Sequence, residues 1–149
     1  MEITQQADYA VRAILDLALR PTGERASCEE IARRQSIPVA FLTKICARLA
    51  AEGLVESQRG AKGGVWLARP AQEITLLQVV EAIDGPITFN RCNRKPAECE
   101  RSRTCPVHSV WAELCHDFRV RLAAYNFARM AASANSTSQP IRLREGAGY

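Results

Sequence analysis

Apolar residues recur at spacings of three and four over residues 5–19, where Ala7, Ala10, Val11, Ile14, Leu15 and Ala18 share one face. That pattern predicts an amphipathic helix, stopped by the turn residues Arg20, Pro21, Thr22 and Gly23. Ser27 followed by Glu30 is a capping box, which opens a short second helix running through Arg34. After QSIPV, Pro38 suits the first turn of a third helix reaching about Glu52, with Phe41, Leu42, Ile45 and Leu49 as its apolar face. Gly53 ends it. Two short extended pieces follow, 54–58 and 65–68, separated by the basic, glycine-rich tip RGAKGG. TLLQVVEAID, residues 75–84, reads as a further amphipathic helix, broken by Gly85 and Pro86. Residues 87–103 lack periodicity and read as a loop. From about 104 to 132 a long helix is expected, with Val107, Trp111, Leu114, Phe118, Leu122 and Tyr125 forming one apolar stripe.

Three helices and then a hairpin is the order of a winged helix. The expected fold is therefore mainly α with a small β-hairpin wing: a winged helix-turn-helix followed by a long C-terminal dimerisation helix. The corresponding segments are a DNA-binding domain over 1–70, a linking helix and cysteine-rich loop over 71–103, the dimerisation helix over 104–132, and a polar, disordered tail over 133–149. A long helix with one apolar seam needs a partner, and a second copy of the chain is the simplest one.

Composition narrows the setting. With 149 residues the chain is one domain, or one small domain plus an appendage, able to bury a core without covalent staples. No run of 18 apolar residues is present, so no membrane span is expected. The N-terminus lacks a basic segment before its apolar residues, which argues against a signal peptide and for a cytoplasmic protein. Thiols stay reduced there, so six cysteines suggest metal or redox chemistry rather than a disulfide framework. The net charge of +4 permits nucleic-acid binding without indicating it. No substrate-site signature marks the chain as an enzyme.

The DNA-reading surface is expected on the third helix and the wing. A winged helix places its second helix-turn-helix helix in the major groove of double-stranded DNA while the wing touches the backbone. Thr43, Lys44 and Arg48 lie on the exposed face of that helix, with Pro38 at its start and Ala40 small enough not to hold it away. Lys44 and Arg48 are one turn apart and suit phosphate or guanine. At the tip, Arg59 and Lys62 flank glycines that let backbone approach backbone.

The stretch CNRKPAECERSRTCPVH carries Cys92, Cys99, Cys105 and His108 in the spacing C-x6-C-x5-C-x2-H. Structural zinc sites are usually built from two close ligand pairs, and only Cys105 and His108 form one. An iron–sulfur cluster suits ligands spread along a loop, and Arg91, Arg94, Lys95, Arg101 and Arg103 would offset its negative charge. An imidazole as fourth ligand makes a site less negative and, by titrating near neutral pH, less firmly held. That suits a sensor better than a permanent electron carrier. A zinc-stabilised regulator, a metal-free thiol switch and an iron–sulfur electron-transfer protein remain as alternatives.

The opening ITQQADYAVRAILDLAL, the segment EIARRQSIPVAFLTKICARLAAEGLVES, the wing RGAKGGVWLA, the helix LLQVVEAIDG and the cysteine loop running into HSVW together resemble the Rrf-two family of bacterial winged-helix regulators. Within it they resemble the iron–sulfur members of the IscR, NsrR and RirA types. The resemblance implies a homodimer crossed through the long helix, bound to an operator and reporting cluster status, redox state or nitric oxide. It implies Cys92, Cys99 and Cys105 as cluster ligands, with His108 completing a 2Fe–2S site as in IscR-like members. Asp8 is similar to the aspartate that, in NsrR-like members, reaches a 4Fe–4S cluster from the other subunit. Thr43 stands where IscR-like members carry a base-reading glutamate, so the resemblance does not imply the specificity switch tied to that residue. Cys28 and Cys46 are expected to be packing residues, and Cys115 lies near the seam.

Overall fold

A computed structural model describes residues 3–101 and 103–136. Within these described residues seven helices and one hairpin follow in order: α1 Gln5–Ala18, α2 Cys28–Gln35, α3 Val39–Ala51, β1 Val55–Gln58, β2 Gly64–Leu67, α4 Leu76–Asp84, α5 Arg91–Arg94, α6 Pro106–Ala123 and α7 Phe127–Ser136. Short 3-10 turns occur at Ala71–Glu73 and Pro96–Glu98. None of the described helices is long and apolar enough to cross a membrane.

Local chemistry sets the helix ends. Thr4 caps α1 by accepting from the Ala7 amide at 3.2 Å. Ser27 and Glu30 close the expected capping box on α2, and Thr75 and Gln78 close a second one on α4. Ser36 ends α2 in the left-handed region at φ 52°, which turns the chain into α3.

α1 is the hub: α2, α3, α4 and α7 all pack on it, and Ala7, Ala10, Ala13 and Ile14 vanish into the core. Small residues on that face let four helices approach one cylinder closely. Asp16 lies in the same helix, 5% exposed, where a carboxylate survives only with partners. It accepts from Arg34 Nε at 2.9 Å and Nη2 at 2.8 Å, and from Gln35 Nε2 at 3.1 Å. Periodicity had no means of finding this clamp, because it joins α1 to the end of α2 through side chains.

In the antiparallel hairpin Val55 pairs with Leu67 and Gln58 with Gly64. Ala26, just before α2, exchanges both backbone hydrogen bonds with Val65, at 3.0 and 2.8 Å, so the wing is anchored to the helix-turn-helix by main chain. At the tip a Cβ on Gly63 would lie 2.2 Å from the Gln58 carbonyl oxygen, so only glycine closes the turn.

Four expectations need correction. Phe41 is 49% exposed rather than part of the α3 core face; Cys46 is buried there beside Leu42, Ile45 and Leu49. The region 87–103 is not wholly loop, since α5 and a 3-10 turn form within it. The single helix expected over 104–132 is two helices. α6 stops at Ala123, and the Tyr125 carbonyl accepts from the Leu76 amide at 2.8 Å while the Phe127 amide donates to Ile74 at 3.0 Å. Phe127, fully buried, then enters the main core, and Asn126 caps α7 by accepting from the Arg129 amide at 2.9 Å. Burial of one large aromatic and two long-range backbone hydrogen bonds outweigh the helical continuity that the apolar stripe suggests. Most of the expected tail, from 137 onward, lies outside the described residues, whereas 133–136 form the end of α7.

Candidate nucleic-acid interface and cysteine loop

Ala40, Thr43, Lys44 and Arg48 are exposed along one face of α3, Pro38 is exposed just before its first residue instead of within its first turn, and Arg59 and Lys62 are exposed at the wing tip. Their immediate environments differ. The Thr43 hydroxyl donates back to the Val39 carbonyl at 3.0 Å, leaving its oxygen as an acceptor. Arg48 donates from Nη2 to the Ile83 carbonyl, one of the last carbonyls of α4. It therefore ties α3 to α4, and Lys44 is the cation of this face without such a tie among the described hydrogen bonds and ion pairs.

Sequence reasoning missed Arg25. Its Nη1 donates to Gln58 Oε1 at 2.7 Å and to the Lys62 carbonyl at 2.9 Å, and its guanidinium lies 4.3 Å from the Trp66 ring centroid. This residue holds both sides of the wing tip and so aims Arg59 and Lys62. Nothing in its local sequence signals that role, because all three partners come from the hairpin.

The cysteine loop sits between α4 and α6. Cys92 lies in α5, Cys99 follows the 3-10 turn, and Cys105 is the residue before α6; all three are half-buried free thiols. Cys92 Sγ lies 3.3 Å from Asn90 Oδ1 and 3.4 Å from Asn93 Oδ1. His108 is in the first turn of α6, its amide donating to the Cys105 carbonyl at 3.1 Å. Its Nδ1 is buried and has no hydrogen-bond partner among the described residues. A buried imidazole nitrogen without a partner is costly unless something else engages it.

Among the described residues no three His, Cys, Asp or Glu side chains converge on one point where a metal ion would sit. Asp8 lies elsewhere, in the first turn of α1, its side chain 57% exposed and 3.4 Å from Arg12. Of the basic residues in the loop, Arg91 and Lys95 are held by Glu98, at 2.9 and 2.7 Å. Those two cations pull the Glu98 carboxyl below its ordinary range, Lys95 contributing most. Cys115 is buried on α6, where its thiol donates to the Ile87 carbonyl at 2.9 Å; it pins α6 to the loop after α4.

The apolar stripe on α6 divides. Leu122 turns inward against Val80 and Ile87, and Phe118 is half-buried. Val107, Val110, Trp111 and Leu114 remain 39–52% exposed, and Phe89 packs edge-on against Trp111 at 6.4 Å.

A helix-turn-helix whose second helix exposes Lys44, followed by an anchored hairpin with a basic glycine-rich tip, defines a winged-helix DNA-binding protein. The family model Rrf2, described as an iron-dependent transcriptional regulator, matches residues 3–133. The chain belongs to the Rrf2 family of transcriptional regulators, which are DNA-binding proteins rather than enzymes. It is similar to the IscR regulator of Escherichia coli O1:K1 / APEC, 34% identical over 76% of this chain and 70% of that one. It is 31% identical to ORF2 of Azotobacter vinelandii, a provisionally assigned HTH-type transcriptional regulator, over 99% of this chain and 91% of that one. Among solved structures, T. potens IscR superposes with a TM-score of 0.73 at 25% identity, covering 95% of this chain and 94% of that one. CymR, the global cysteine regulator of B. subtilis, shares the fold with a TM-score of 0.71 at 22% identity, covering 89% and 98%.

Proposed function

We propose that this transcriptional regulator is a cytoplasmic homodimer whose operator binding is governed by an iron–sulfur cluster. Cys92, Cys99 and Cys105 would hold it, with His108 as fourth ligand, and it would report cluster supply, oxidants or nitric oxide. The observation that carries this reading is the buried Nδ1 of His108, without a partner among the described residues, in the first turn of the helix that follows Cys105. Three half-buried free thiols and an imidazole nitrogen without a hydrogen bond are a donor set suited to iron and sulfide. When bound, the group supplies a reversible change in charge and ligation. Asp8 is half-exposed and already beside Arg12, so it is the weaker claimant within one chain.

The protein's own residues would couple that loop to DNA. Cys105 abuts α6, and α6 is joined to α4 by Arg119 donating to Glu81 at 3.0 Å. α4 is joined in turn to the recognition helix by Arg48 at the Ile83 carbonyl, and to the start of α1 by Asp84 accepting from the Thr4 amide. A rearrangement of residues 92–105 therefore has a packed route to α3. In a dimer it would alter the spacing of two recognition helices that must match one helical repeat of DNA, or a multiple. The exposed stripe of Val107, Val110, Trp111 and Leu114 supports α6 as the dimer seam.

The test is iron and acid-labile sulfide per chain, with absorption spectra and operator affinity, on protein purified without oxygen. About two irons per chain, lost or altered in His108→Ala but not in Asp8→Ala, supports the reading. About four, with Asp8→Ala the sensitive variant, replaces His108 by an aspartate ligand. Colourless protein containing zinc or no metal overturns the cluster and leaves a zinc-stabilised or thiol-based regulator.

A further inference from the structure

α3 opens on a run of exposed apolar residues. Pro38, Val39, Ala40 and Phe41 follow one another without a polar side chain, and all four are exposed, Val39 at 42% and Phe41 at 49%. The core side of the helix is supplied by Leu42, Ile45, Cys46 and Leu49. Isolated apolar residues are ordinary on a protein surface, but four in succession are unfavourable unless something covers them.

Their place in the fold points to DNA as the cover. α3 is the second helix of the helix-turn-helix, the element a winged helix lays in the major groove with its N-terminal residues against the base edges. Phe41 stands three residues before Lys44 and seven before Arg48, so the three lie along one row of the helix surface. Ala40 stands one turn before Lys44 and is exposed beside that row. Lys44, also exposed, attracts the phosphates that bring such a helix to the groove. Val39 shares a row with the buried Leu42 and Cys46, which turns toward the core. Phe41 is therefore the residue of this turn with both the reach and the direction to meet a base.

The chemistry of the turn limits what it can read. Pro38, Val39, Ala40 and Phe41 carry no side-chain donor or acceptor. Thr43, the first polar side chain of the helix, has its hydroxyl proton committed to the Val39 carbonyl at 3.0 Å. Residues 38–41 thus have no side-chain hydrogen bond to offer a base. Apolar contact remains, and the major groove presents one apolar group, the C5-methyl of thymine.

We propose that Phe41 is a specificity-determining residue whose ring packs on the 5-methyl group of a thymine in each half of the operator. The proposal rests on the DNA-binding reading of α3 and not on the iron–sulfur cluster. The ring is presented from a fixed turn: the Phe41 amide donates to the Pro38 carbonyl at 3.0 Å, and Leu42, the next residue, is fully buried. Backbone already in place has little left to order on binding. Contact removes water from both the ring and the methyl. A cytosine at that position lacks the methyl and would bury its N4 amine against the ring, so it is discriminated against.

The test removes the same contact from either side. An operator duplex is selected from a random pool by the full-length wild type, purified without oxygen. Each thymine is then replaced in turn by deoxyuridine, which deletes only the methyl. Affinities are measured at fixed salt for wild type, Phe41→Ala and Phe41→Leu, and melting curves confirm that the variants fold. One thymine position should stand out in wild type, losing about fourfold in affinity per half-site and about fifteenfold when both are replaced. Phe41→Ala should bind the thymine duplex more weakly and be indifferent to deoxyuridine at that position, whereas Phe41→Leu, still apolar, should keep part of the sensitivity. A wild type indifferent to deoxyuridine everywhere, or a Phe41→Ala protein as sensitive as wild type, overturns the proposal. A change of oligomeric state in Phe41→Ala with the deoxyuridine response intact also overturns it, and assigns the patch to a protein contact. Wild type that selects no duplex overturns the DNA-binding reading itself, an outcome distinct from binding without sensitivity to the methyl.

Discussion

Two aspartates on α1 invite the same substitution and should answer it very differently. Asp8 is 57% exposed by side chain with one partner, Arg12, at 3.4 Å, whereas Asp16 is 5% exposed and accepts three hydrogen bonds between 2.8 and 3.1 Å. Arg20 adds a further contact to Asp16 at 3.5 Å. Asp16→Asn puts an NH2 where a carboxylate oxygen met the Arg34 fork, leaving guanidinium protons unpaired. Breaking a fully buried pair costs about 3–5 kcal/mol. Here the Arg34 side chain is 33% exposed and that of Arg20 is 19% exposed, so both regain some water and the expected loss falls to about 2–3 kcal/mol. Asp8→Asn should cost about 0.3–0.5 kcal/mol, the range for an exposed pair one turn apart on a helix. Equilibrium urea unfolding at fixed protein concentration measures both. The reasoning fails if Asp16→Asn loses less than about 1 kcal/mol, or if Asp8→Asn loses as much. Acidity provides a second check. Burial alone would raise the Asp16 carboxyl, but the hydrogen bonds from Arg34 and Gln35 and the charges of Arg34 and Arg20 prevail and hold it below its ordinary value. A depressed folded-state value means that the stabilisation is complete above the unfolded value of about 3.9 and is lost as pH falls through the folded one. The gap between wild type and Asp16→Asn should therefore hold steady from neutral pH to about 5 and close below about 4.

Phe127→Ala should cost about 3–5 kcal/mol in the same assay, because the ring is fully buried in the main core; a loss under about 1 kcal/mol would mean that α7 does not dock there. Trp111→Glu, at a position 39% exposed, should leave monomer stability nearly unchanged and shift the sedimentation profile toward monomer; an unchanged dimer would place the seam elsewhere. In operator titrations across salt concentration, Lys44→Ala and Lys62→Ala should each flatten the salt dependence by about one released ion. Arg48→Ala should leave that slope nearly unchanged while lowering stability, since Arg48 already donates to the Ile83 carbonyl. An equal drop in slope for Arg48→Ala would show that this tie opens on DNA.

Much of the molecule is written locally and was legible. The capping boxes at Ser27 and Thr75 need only residues three apart, and they mark the starts of α2 and α4. The glycine-rich tip between two extended pieces marks the wing, and hydrophobic spacing marks α1, α3 and α4. The family likeness rests on the same runs of sequence, and the match over residues 3–133 agrees with it. The break after Ala123 was legible in principle, since Asn126 before an apolar run is a helix start signal. The stripe through Tyr125 masked it, because periodicity records spacing and not the direction in which a face turns.

The chain by itself determined the helices α1 to α4, where the hairpin turns, and which cysteines and histidine lie within reach along the backbone. Those outcomes depend on backbone hydrogen bonding, capping and turn chemistry over a few residues. Tertiary structure decided that Asp16 is clamped by Arg34, that Arg25 braces the wing, that Arg48 faces α4, and that Phe127 folds back on α1. In each case the partners are distant in sequence, and their meeting depends on how helices pack, which no local pattern encodes.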